Sequence, residues 1–189
     1  MKNDSDNTGT TIDPLMDFSN CHVGIIKNFE RLLALSNTTI ESPVQPEVKL
    51  SAKALHDFFR DVVLEHHQEE EKELFSEVTD SARDGSLESL KALSMIKQLT
   101  DEHRSLEAQW AAIESDIKSL AKGKSVSLDK EAAAKLAKEY LAHANFEEQA
   151  FLPLSAQLLG ERGLSSLGLS SLGLSLHMRH ADVGIPFYI

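Results

Sequence analysis

The chain has 189 residues, 41% of them hydrophobic and 26% charged, and carries a formal net charge of −11 at pH 7. That length fits one domain with a real core, no apolar run is long enough to span a membrane, and the acidic balance argues against nucleic acid or an anionic membrane as partner, since both require a basic surface. Cys21 is the only cysteine, which excludes an internal disulfide and cysteine-rich zinc or iron–sulfur motifs.

Residues 1–12 are polar and show no charged-then-apolar leader pattern, so a flexible arm and a cytoplasmic location are expected. A first helix is predicted from about Pro14 to Leu35, because Leu15, Phe18, His22, Ile25, Phe29 and Leu32 recur at spacings of three and four. Residues 36–50 contain Asn37-Thr38-Thr39, Pro43 and Pro46 and read as a loop. Ser51 then caps a second helix to about Thr79, with Leu55, Phe59, Val62, His66, Glu70, Leu74 and Val78 on its inner stripe. A turn around Gly85 leads to a third helix over residues 87–121, carrying Leu99, His103, Leu106, Trp110, Ile113 and Ile117. Asp129 caps the fourth, whose stripe is Leu136, Tyr140, His143, Glu147, Phe151, Leu154 and Leu158. Pro153 lacks the N–H that would bond to Gln149, so a kink or early end is expected there, with helix persisting to about Leu159. Residues 160–189 are a Gly/Leu/Ser-rich tail or short helix, and its His177 and His180 read as a surface pair.

One pattern occurs twice, at His66, Glu70, Glu71, Leu74 and Phe75 and again at His143, Glu147, Glu148, Phe151 and Leu152. A histidine and a glutamate four residues apart share one helix face. Both pairs lie on apolar stripes, where an unpaired carboxylate costs several kcal/mol, so pairing or a metal ion is the expected remedy. His22 and His103 lie on stripes of their own, so a helix with one histidine followed by a helix with a His–Glu pair appears twice. That repeat predicts an all-α, four-helix bundle over residues 13–159 with a metal site among its helices. Glu69 and Glu71 read as a solvated face, His56 and His67 as surface histidines, and Glu148 as a support behind the site.

These anchors, Asp17 to His22, Glu65 to Phe75, Asp101 to His103 and His143 to Pro153, resemble the hemerythrin-like (HHE cation-binding) domains over about residues 17–154. The resemblance implies an up-down-up-down bundle holding a non-haem di-iron centre. Its ligands, carried over by motif, would be His22, His66, His103 and His143 with Glu70 and Glu147 as bridging carboxylates, and an oxo or hydroxo bridge would lower the remaining charge. A donor set of imidazole and carboxylate without thiolate also suits iron or manganese by itself. The oxygen carriers of the family present two ligand histidines four apart on the third helix, whereas here the position four after His103 is Glu107, a possible additional ligand. Four histidines would leave about one open position on each ion. The expectation is therefore reaction with or sensing of a small molecule such as O2 or NO, or iron handling. The alternatives are repair of iron–sulfur centres, whose proteins often carry an N-terminal cysteine segment not seen here, and reversible O2 binding or storage.

Overall fold

The computed structural model describes residues 14–169, with side chains from residue 22 to residue 160. The N-terminal arm, the Cys21 side chain and the His177/His180 pair lie outside the described part. Every element within it is helical. The first rod is α1 (Pro14–Asn37). The second runs through α2 (Pro46–Phe58), a π-helical turn π1 (Phe59–Val63), α3 (Leu64–Glu69), a second π turn π2 (Glu70–Leu74) and α4 (Phe75–Ser81). The third is α5 (Leu87–Ala121), and the fourth joins α6 (Lys130–Phe146), π3 (Glu147–Phe151) and α7 (Leu152–Leu169). No helix among the described residues is long and apolar enough to cross a membrane.

Local chemistry sets the rod ends. Ser86 and Asp129 cap α5 and α6 by accepting the backbone N–H of Ser89 and Ala132, satisfying donors that a helix start leaves unpaired. The second rod begins earlier than the expected Ser51, at Pro46. Proline suits a first helical turn, where its missing N–H would be unpaired anyway and its φ is preset. Pro153 does not end the fourth rod either. It follows π3, whose widened turn relieves the clash between the proline ring and the carbonyl four residues back. The bend comes at Gly160, with φ 57° and ψ −168°, a conformation that only glycine adopts readily.

α1 packs on α2 and α6, α5 packs on the same two helices, and α4 and α7 pack on each other and on α5. The apolar core falls into two clusters. One gathers Ile25, Phe29, Leu32, Phe59, Val63, Leu106, Trp110, Ile113, Leu136 and Tyr140. The other gathers Leu74, Phe75, Val78, Met95, Leu99, Phe151 and Leu152. Along the second rod the chain passes from the first cluster at Val63 to the second at Leu74, along α5 it returns from Leu99 to Leu106, and along the fourth it crosses again from Tyr140 to Phe151. Each crossing happens at the inward histidines and glutamates. The π turns also slip the inward register by one residue: Val63 is buried where Val62 was expected, and Ser155 and Leu159 are buried where Leu154 and Leu158 were.

Replacing Asp129 by alanine should lower stability by about 1 kcal/mol, the usual worth of an N-cap, measured as a urea midpoint shift of the metal-free protein. An unchanged midpoint would mean that α6 is held by packing alone.

Candidate metal centre

Between the two apolar clusters the four rods bring five imidazoles and two carboxylates together. His22, His66, His67, His103, His143, Glu70 and Glu147 are each at most 2% exposed. α1 supplies His22, the second rod His66, His67 and Glu70, α5 His103, and the fourth rod His143 and Glu147. Both glutamates open a π turn, in matching places of the internal repeat, and such turns frequently occur at functional sites.

The Glu70 carboxylate spans two histidines, with Oε1 3.2 Å from His66 Nε2 and Oε2 3.4 Å from His103 Nε2. Glu147 does the same with one oxygen, Oε2 standing 3.0 Å from His22 Nε2 and 3.6 Å from His143 Nε2. Two sets of donor atoms result, each within 4.8 Å of one another: His22, His66, Glu70 and Glu147 in one, His67, His103 and His143 in the other. His67 and His103 stack face to face, centroids 4.0 Å apart and planes 5° from parallel.

Behind four of the imidazoles stands a carboxylate from a different rod. Glu148 takes His22 Nδ1 at 2.8 Å, Glu71 takes His103 Nδ1 at 2.9 Å, Glu102 takes His143 Nδ1 at 2.9 Å and Glu107 takes His67 Nδ1 at 3.2 Å. A ring whose only proton is on Nδ1 turns the lone pair of Nε2 inward, the arrangement in which histidine binds a metal; a ring protonated on both nitrogens reaches it on losing the Nε2 proton. The Nε2 atoms of His67, His103 and His143, Oε2 of Glu70 and both oxygens of Glu147 are buried with no hydrogen-bond partner. Orphaned polar atoms of this kind cost about 1–3 kcal/mol each, and a cation in each set would satisfy them. The residues therefore fit a metal.

The model of the hemerythrin HHE cation-binding domain matches residues 13–155. The chain belongs to this family. No curated protein and no solved structure matches it. The HHE match covers every inward histidine and glutamate, and the two sets of donors could each hold a cation.

All six residues expected as ligands of the HHE site are brought together. Glu107 is not among the inward donors: it lies 27% exposed, one layer out, against His67 and Arg104. His67 is the correction that matters. Expected at the surface, it is fully buried because π1 adds a residue to the helix turn upstream and rotates α3 relative to a count at 3.6 residues per turn. Its signal in the sequence was the His66-His67 doublet together with a carboxylate at Glu107. Glu71 is likewise no solvated bystander, since it holds His103, and Glu102 acquires the same role for His143. Glu148 supports the site as expected. His56 is partly buried against Glu114.

The cluster also fixes protonation in the metal-free protein. Burial opposes charge on His22, but the carboxylates of Glu147 and Glu148 against its two nitrogens outweigh it and raise its pKa to about 10. Burial is overcome in the same way at His103, where Glu70 lifts the value to about 9. At His67 burial prevails over the Glu107 hydrogen bond and holds it down to about 4, and burial together with the charge on His22 keeps His66 well below its usual range. Burial and the negative charge of Glu147 raise Glu70; Glu147 itself, though buried, is pulled down to about 2 by His143 and His22.

Below about pH 6.5 the unfolded chain protonates its histidines while folded His66 and His67 stay neutral, so stability falls with falling pH. Above that pH folded His22 and His103 keep protons that the unfolded chain has released, so stability falls with rising pH. Urea midpoints of the metal-free protein should therefore peak near about pH 6.5, and His67→Phe should flatten the acid side. A monotonic profile would contradict these protonation states.

Proposed function

We propose that this HHE domain is an up-down-up-down bundle holding two non-haem irons, and that it binds or senses a diatomic molecule such as O2 or NO at one of them. The topology is supported by the alternating order in which the rods cross between the two apolar clusters. The observation that carries the functional reading is the unequal division of nitrogen donors: two histidines, His22 and His66, on one side, three, His67, His103 and His143, on the other, and Glu70 and Glu147 between them. For iron preferring about six donors, three nitrogens, two carboxylate oxygens and a hydroxo or oxo bridge complete one ion. Two nitrogens leave the other with a single open position.

That count differs from the four-histidine expectation, in which both ions were open. His67 fills from the second helix the place that a second histidine of the third helix holds in the oxygen carriers, and Glu107, standing where that histidine would be, supports it. One open position favours reversible binding or sensing over redox turnover or iron handling. A ferrous pair supplies the electrons and the binding position for such a ligand. The chain's own part is to orient Nε2 through the four Nδ1 hydrogen bonds and to exclude water with the two apolar clusters that flank the site.

Anaerobic loading with ferrous iron should give two irons per chain. At about pH 7 it should also release protons, one each from His22 and His103, which remain protonated in the metal-free protein, and at least one more from the water that becomes the bridge. The loaded protein should take up O2 with new visible bands and release it on evacuation. His67→Ala should still bind metal through the His22/His66 set, but should oxidise irreversibly on exposure to O2. One iron or none would overturn the di-iron reading, and irreversible oxidation of the unaltered protein would overturn reversible binding.

A further inference from the structure

We propose that Arg104 is a positioning residue for the three-histidine half of the centre, aligning His67 and His103 through the two carboxylates behind them. The proposal rests on the two-ion reading above. Arg104 follows His103 on α5 and is 56% exposed. Its Nη1 donates to both oxygens of Glu107, at 3.1 and 3.2 Å, and its Nη2 donates to Glu71 Oε2. Glu71 Oε1 accepts from His103 Nδ1 and Glu107 Oε1 from His67 Nδ1. One guanidinium thus closes a ring that runs from Glu71 to His103, across the stacked pair to His67, and back through Glu107.

The geometry explains why a cation is needed there. The two rings are parallel and 4.0 Å apart, and the carboxylates that hold their Nδ1 atoms lie close enough for one guanidinium to contact both. Like charges repel, and both carboxylates, 22% and 27% exposed, have water within reach as an alternative. The planar fork of arginine offers donors to both at once, which the point charge of lysine does less well. Glu102, behind His143, is held instead by the neutral amide of Gln98 at 2.8 Å. Glu71 belongs to π2 whereas Arg104 and Glu107 belong to α5, so the ring also ties the two rods that supply His67 and His103. As a partly exposed ion pair it contributes little to fold stability, which separates a positioning role from a structural one.

The test compares the unaltered protein with Arg104→Gln and Arg104→Lys, each loaded with ferrous iron. The readouts are iron content, loss of each iron to a chelator, the circular dichroism of the iron bands, and thermal unfolding of the metal-free form. In Arg104→Gln one of the two irons should be lost about tenfold faster, the lower end of the cost of removing an outer hydrogen-bond partner of a metal ligand. The iron bands should shift, and the metal-free unfolding temperature should be unchanged. Arg104→Lys should recover the rate only in part. Equal loss rates and unshifted bands in Arg104→Gln overturn the proposal, as does a faster loss of both irons with a lowered metal-free unfolding temperature. Fewer than two irons in the unaltered protein would instead overturn the two-ion reading, and this proposal with it.

Discussion

A hydrogen bond from an inward-facing imidazole to a carboxylate on another rod recurs four times in this bundle, and the arrangement of the centre depends on it. Glu71 in π2 reaches His103 on α5, Glu148 in π3 reaches His22 on α1, and Glu102 and Glu107 on α5 reach His143 on α6 and His67 on α3. Each bond orients a ring and links two rods. Because the outer carboxylates are partly exposed, they meet water on one side and the site on the other. The inner carboxylates, Glu70 and Glu147, have no such access and depend on imidazoles or a cation.

This polar layer costs stability in the absence of metal, since its donors cannot all be satisfied by one another. The apolar clusters on either side hold it in place: Phe59 stacks on Trp110 at 3.9 Å and Phe29 on Tyr140 at 4.4 Å in one, and Phe75 meets Phe151 edge to face in the other. Apolar clusters that need no metal and a polar layer whose buried donors lack partners together suit a cation. The internal repeat shares the work, with each His–Glu pair followed by a π turn and by two apolar residues that enter the second cluster.

The unequal division of histidines follows from this packing rather than from the repeat. The repeat by itself would give two equivalent halves, each with two histidines and one glutamate. His67 breaks that equivalence because the second rod, rotated by π1, presents both members of its histidine doublet to the interior, one toward His22 and the other toward His103.

By itself the sequence determined the helical class, the bounds of the four rods to within a few residues, except for the start of the second at Pro46 and the end of the fourth at Leu169, and six of the seven inward histidines and glutamates. It could do so because a histidine or glutamate on an apolar stripe is conspicuous, and because caps such as Asp129 act through near neighbours. Only the tertiary structure decided the seventh donor, the role of Glu71 and Glu102, and the position of Glu107 outside the inner layer. π turns cannot be read from a period of 3.6 residues, so the burial of Val63 in place of Val62, of Ser155 and Leu159 in place of Leu154 and Leu158, and of His67 beside His66 was not legible. The carboxylates that orient the imidazoles are 32, 40, 41 and 126 residues away from them in the chain, and contacts of that span exist only once the rods have packed.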